Sequence, residues 1–226
     1  DIIEEKLQYI KENFLEKHSN TYAYYASKAF LTKAMVKILK KSEMGIDVVS
    51  YGELYTALEA GMNPDKIMFH GNNKSKDDLE FALERGVGRI IVDGISELKL
   101  LIHLAGKKYT TKILLRISPN VEAHTHKYIS TGQLDSKFGL PIDSKYLEEA
   151  IEIAIGATNI EFKGFHFHVG SQLFDNEAHI KSTQKAMELI RDVKSKYGHE
   201  IEDLDVGGGF GVRYTSEDEV MPLEYF

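Results

Sequence analysis

Leu204-Asp205-Val206-Gly207-Gly208-Gly209-Phe210-Gly211 decides the fold. A short strand, Leu204-Asp205-Val206, runs into glycines that can turn successive backbone N–H groups toward one point, an anion nest suited to phosphate. The run has neither the Gly-Lys-Ser/Thr of a Walker loop nor the spaced glycines of a dinucleotide fingerprint. Taken alone, a flexible turn is an equal reading. Its place in the chain says more. Strands are expected near 22–28, 46–50, 66–70, 89–93, 112–118, 161–170 and 203–207, so the glycines follow the seventh. A doubly wound sheet puts its glycine-rich turn after the first strand, and here the first strand ends in Lys28. A (β/α)8 barrel often binds phosphate in the loops after its last two strands. The expected fold is therefore α/β, a (β/α)8 TIM-type barrel with seven strands readable.

Helices are expected between the strands, near 31–43, 52–60, 76–85, 96–105, 144–155 and 176–197. Ile3, Leu7, Ile10 and Phe14 add an amphipathic helix over 1–18. Gly45, Gly61, Gly86 and Gly106 stand where helices should stop, and Ser75-Lys76-Asp77-Asp78 fits a capping box. Strict alternation means a parallel sheet, and no linker divides it, so residues 1–226 are read as one domain. The 226 residues are 42% hydrophobic and 28% charged, enough for one large core. A net charge of −7 without a Lys/Arg block argues against nucleic acid. The absence of cysteine rules out disulfides and thiolate metal sites within this stretch. No apolar run approaches ~20 residues and no signal peptide is visible, so a cytoplasmic protein with no membrane partner is expected. The chain opens in helical pattern at Asp1 and stops at Phe226 after an acidic loop. Truncation at both ends is the expectation.

Lys28, in Tyr25-Ala26-Ser27-Lys28-Ala29-Phe30, falls at the end of what reads as a buried strand. An enclosed ammonium loses basicity, and such a lysine makes Schiff bases at neutral pH. The alternative is a strand-end lysine reaching into solvent. Lys28, Asp47, His70, Asp93, Arg116, His168 and Gly207 all fall near C-terminal strand ends, which in a barrel converge on the catalytic face. In Gly164-Phe165-His166-Phe167-His168, period two puts both histidines on one face and both phenylalanines on the other. The histidines suit a metal, a flat wall for a planar cofactor, or a hydrogen-bonded core. His124-Thr125-His126 is a second pair, which keeps a metal-dependent hydrolase open as a rival. Arg116, on an apolar strand, needs an anionic partner, either a ligand group or a structural carboxylate. Residues 119–142 form a long connection of the kind that serves as a lid or binding loop. They carry His124, Lys127, Tyr128, Ser130, Thr131, Asp135 and Lys137.

These pieces, taken in order, resemble the diaminopimelate decarboxylase family, within the pyridoxal phosphate (PLP) enzymes whose barrel is similar to that of alanine racemase. The likeness is carried by Tyr25-Ala26-Ser27-Lys28-Ala29, by Asp47 to Leu54 and by Phe69-His70-Gly71-Asn72-Asn73-Lys74-Ser75. It continues through Tyr128 to Gly132, Ser136-Lys137-Phe138-Gly139, Gly164 to Gln172, and Asp205 to Gly211. The resemblance implies that Lys28 carries pyridoxal 5'-phosphate as a Schiff base and that His168 stacks on its ring. It implies that Gly207, Gly208 and Gly209, with Ser171, hold the phosphate, and that Asp47, Arg116 and His70 complete the polar shell. Lys28 and His168 are the implied catalytic residues, and no metal is assigned.

The implied reaction is decarboxylation of meso-diaminopimelate, an amino-acid substrate, to L-lysine and carbon dioxide, within a homodimer. The family's Glu-Pro-Gly-Arg motif, its cysteine-bearing motif, its first short strand and its C-terminal β-domain do not occur in these residues. Full activity of this chain by itself is therefore not expected. Two rivals lie closer than the hydrolase: a sister decarboxylase of ornithine, arginine or carboxynorspermidine, and a non-catalytic PLP-carrier barrel.

Overall fold

Tyr24-Tyr25-Ala26 pairs in parallel with Gly45-Ile46-Asp47, and the same step repeats around the sheet. The computed structural model describes residues 2–121, 137–216 and 220–226. Its strands are β1 (Tyr24–Ala26), β2 (Gly45–Val48), β3 (Ile67–Phe69), β4 (Arg89–Val92), β5 (Thr111–Ser118), β6 (Leu140–Pro141), β7 (Ile160–His166) and β8 (Asp203–Asp205). The order is β1-β2-β3-β4-β5-β7-β8, all parallel, with the two-residue β6 beside the end of β5. The helices are α1 (Ile2–Asn13), α2 (Lys33–Lys41), α3 (Tyr51–Glu59), α4 (Lys76–Arg85), α5 (Ile95–Ala105), α6 (Lys145–Gly156) and α7 (Glu177–Tyr197). The fold is thus the expected α/β arrangement: seven parallel strands in a curled sheet, each crossover carrying a helix.

Two apolar clusters show why the sheet curls. Ile46, Val48, Phe69, Ile90 and Leu115 belong to a large core shared with the helices. Met68, Ile91 and Leu114, from the opposite face of their strands, form a separate small cluster with Tyr24 packed against it. A strand's alternate residues point to opposite faces, so the second cluster fills the inside of the curl. Arg89 Nε donates to Asp203 Oδ2 at 2.7 Å. These residues stand on β4 and β8, which are not sheet neighbours, and their ion pair crosses that interior.

The boundaries follow local chemistry. Ser75 accepts the Asp78 N–H while the Asp78 carboxylate accepts the Ser75 N–H, the expected capping box. Thr32 caps α2 by accepting from Met35 N–H, and such caps are worth about 1 kcal/mol each. Gly86 ends α4 in the left-handed region. Gly45 does not stop a helix as expected. It opens β2, where a Cβ would come within 2.4 Å of the Tyr24 ring.

A bulge in β7 sets up the site. Ile113 pairs with Phe162, but Leu114 pairs with Gly164, so Lys163 is the extra residue. Ile160 and Phe162 lie in the helix-facing core before the bulge, and Phe165, Phe167 and Val169 lie there after it. The parity has switched. His166 is thereby turned to the inside of the curl, beside Arg116 and Asp205 in register.

Candidate cofactor site

The site forms at the C-terminal ends of the strands. β1 stops at Ala26, and Ser27–Ala29 is a single 3-10 turn. Lys28 is therefore exposed, which corrects the expectation of a lysine enclosed in a buried strand. Its charge still reaches inward and acts on both Asp47 and His168.

Beneath Lys28 lies a polar cluster. Asp205 Oδ2 is 2.9 Å from His166 Nδ1 and 3.8 Å from His70 Nε2, and His70 Nε2 is 3.5 Å from Asp47 Oδ1. The two imidazoles meet edge to face with centroids 4.6 Å apart. Burial, reinforced by the neighbouring Asp205 charge, pushes the Asp47 carboxyl up to about 8. Burial also raises Asp205, but His166 and the Gly207 N–H outweigh it and hold this carboxyl well below its usual range. Burial keeps His70 neutral. Burial, then the Lys28 charge, brings His168 down to about 3, so its ring is an uncharged plate. The sequence places Asp205 in a strand and at the head of the Asp205–Gly211 motif but assigns it no role. Its spacing from Asp203, two acids on one strand face, was the available signal.

The glycine loop closes over this cluster. Gly207 and Gly209 have φ of +71° and +93°. A Cβ on Gly207 would lie 2.6 Å from the Phe167 carbonyl oxygen, and one on Gly209 1.9 Å from that of Gly170. Those same positions are 3.0 Å from His168 Nδ1 and 3.3 Å from His168 Cε1, so the His168 ring lies against the loop. Asp205 Oδ1 accepts the Gly207 N–H at 2.9 Å. Leu173 N–H donates to Gly209 O and Gly211 N–H to Leu173 O, which draws the half-buried Ser171 alongside. Around Gly208 the Cβ direction is open.

Arg116 is buried at the end of β5, with Nη1 3.6 Å from Asp93 Oδ1 and its guanidinium over the Phe138 ring at 4.4 Å. Of the sequence-selected residues, Asp47, His70, Arg116, His168 and Gly207 to Gly209 converge, with Ser171 at the edge and Lys28 above. His124, Lys127, Tyr128, Ser130, Thr131 and Asp135, and with them the second histidine pair, lie outside the described residues. Among the described residues no group of three His, Cys, Asp or Glu could hold a metal ion.

All of residues 1–226 match the model of the pyridoxal-dependent decarboxylase family's pyridoxal-binding domain. The chain belongs to the pyridoxal-dependent decarboxylases. It is 44% identical over its full length to a diaminopimelate decarboxylase of Bacillus methanolicus and 42% identical over 221 residues to one of Bacillus subtilis. It spans 52% and 50% of those relatives, about half their length. Among solved structures, the diaminopimelate decarboxylase of Helicobacter pylori complexed with L-lysine superposes with a TM-score of 0.87 at 34% identity, over 98% of this chain and 56% of that one.

The residues present fit a pyridoxal group. Ser27 Oγ and Asp47 Oδ1 are buried without a hydrogen bond, the space beside Gly208 is free, and a neutral flat ring lies next to it. A planar molecule would lie against that ring, its anionic group at the glycine loop and its aldehyde toward the Lys28 amine.

Proposed function

We propose that this chain is the cofactor-binding barrel domain of a diaminopimelate decarboxylase, releasing carbon dioxide from the D-centre of meso-diaminopimelate to give L-lysine. The observation that carries the reading is the contact of His168 with Gly207 and Gly209 within the field of the Lys28 ammonium. It brings an amine, a flat ring and an anion nest within one molecule's reach. When bound, PLP supplies an electron sink for the pair left at Cα as the carboxylate departs.

The chain's own groups do the rest. Lys28 is the covalent anchor, and its position above the cluster suits exchange with an incoming amine. His168 supports the ring. The glycine-loop N–H groups and Ser171 take the phosphate. Arg116 offers fixed donors to an anionic edge. Asp47, whose carboxyl burial makes more readily protonated, stands 3.5 Å from His70.

Among the described residues no helix is long and apolar enough to cross a membrane. A cytoplasmic homodimer is part of the proposal, by likeness to the family. Borohydride reduction of the PLP-loaded protein, peptide mapping, and assay of lysine release test the reading. A pyridoxyl group on Lys28 is expected, with turnover of meso-diaminopimelate once the chain is joined to the C-terminal β-domain of the family. Labelling elsewhere defeats the Lys28 assignment, and faster turnover of ornithine or arginine favours a sister decarboxylase. Binding without turnover of any of these by that longer protein favours a carrier.

A further inference from the structure

Lys74 stands apart from the cluster under Lys28, and its side chain is 1% exposed. A buried ammonium is tolerated only when its donors are satisfied. Those of Lys74 reach the Gly71 carbonyl at 2.6 Å, the Ile91 carbonyl at 2.8 Å and Glu97 Oε1 at 2.8 Å. Lys74 thus joins the exit of β3, the body of β4 and the first turn of α5.

Two of these contacts lead back to the site. Gly71 follows His70 directly. Glu97 Oε2 accepts the Asp93 N–H at 3.4 Å. The Asp93 carboxylate faces Arg116 at 3.6 Å through one oxygen and accepts the Gly139 N–H at 3.1 Å through the other. Gly139 is pressed on Arg116, since a Cβ there would lie 3.0 Å from the Arg116 carbonyl oxygen. A chain of polar contacts of 2.8, 3.4 and 3.6 Å therefore runs Lys74–Glu97–Asp93–Arg116, with Gly139 held at its end.

We propose that Lys74 is a positioning residue: with Glu97 it fixes Asp93, and through Asp93 it aims the Arg116 guanidinium into the pyridoxal site. This rests on Arg116 facing the cofactor, as proposed above. The competing role for a buried Lys–Glu pair is to anchor the start of α5 and nothing more. The two roles differ in coupling. A residue acting through Arg116 has no further effect once Arg116 is gone, whereas a purely structural one costs the same in either background.

The experiment is a double-mutant cycle on PLP affinity, read by absorbance titration, with thermal unfolding recorded alongside. It uses the parent chain, Lys74→Met, Arg116→Gln and the double variant. Lys74→Met should weaken PLP binding roughly tenfold and should add no loss to Arg116→Gln, while lowering the melting temperature in both backgrounds. Losses that multiply across the two backgrounds overturn the inference, as does unchanged affinity in Lys74→Met. Both results leave the functional reading intact. A parent chain that binds no PLP defeats that reading and this inference together. If Lys74→Met does not fold, Glu97→Gln carries the same cycle, because it keeps the volume and an acceptor for Lys74 while removing the charge.

Discussion

Asp205 Oδ2 lies 2.9 Å from Nδ1 of His166, and the two residues are partners in the β7–β8 register. The contact ties the strand that leads into His168 to the strand that leads into the glycine loop. Through its other oxygen, Asp205 also holds the Gly207 N–H. One carboxylate therefore sets the distance between ring support and anion nest.

Asp205→Asn should be costly. It removes the charge that faces His166 and His70. Losing a buried hydrogen bond to a charged group costs about 1.5–3 kcal/mol, and denaturant unfolding at neutral pH should show a loss of that order. An unchanged midpoint would mean that the contact contributes nothing to stability. The Asp205 contribution should be complete above the ordinary carboxylate range and should disappear as pH falls below it, because its folded value is depressed.

Asp47 should act in the opposite sense. Its folded value, about 8, lies above the 3.8 of a free aspartate. Between those values the folded chain keeps a proton that the unfolded chain has released. Stability should therefore fall as pH rises through this window, by up to about 1.4 kcal/mol per pH unit from this group. Asp47→Asn should flatten the slope and be more stable than the parent near neutral pH. Unfolding curves across pH 5 to about 8 check this, and parallel profiles for parent and variant would refute it.

His168→Ala and His166→Ala should separate affinity from stability. Loss of the His168 ring should weaken PLP binding by about 0.5–1.5 kcal/mol, the contribution of aromatic stacking, with little change in melting. His166, buried against Asp205 and His70, should cost stability first. An affinity loss larger at His166 than at His168 would reverse the assignment.

Gly208→Ala and Gly209→Ala should differ as well. Gly209 has φ of +93° and no room for a Cβ, while Gly208 has open space. Gly209→Ala should destabilise the fold by about 1–3 kcal/mol. Gly208→Ala should leave melting unchanged and fill the space beside the loop. Its affinity for PLP should drop while that for unphosphorylated pyridoxal holds. Equal losses for both ligands would place the phosphate elsewhere.

The order of strands and helices, the glycine loop after the seventh main strand and the residues at strand ends could all be read from the chain. Each is a local property: apolar periodicity, caps such as Ser75 with Asp78, and glycines at positive φ. The site was legible to the extent that strand ends in a parallel barrel share one face. Lys28 departs from its expected enclosure because β1 stops two residues short of the expected strand end, and a 3-10 turn carries the side chain out to solvent. The role of Asp205 is not legible in sequence, because an acid in a strand has no meaning until its cross-strand neighbour is known.

The alternation of Phe165-His166-Phe167-His168 established by itself that the histidines share a face. It did not establish which face. Carried back unbroken, the same alternation puts His166 on the side of Ile160 and Phe162, among the helices. The extra residue at Lys163 reverses the parity, and a bulge forms only against a partner strand, here Ile113-Leu114 of β5. Sequence settled the pairing of the histidines, and the packing of β7 on β5 settled that they look into the site.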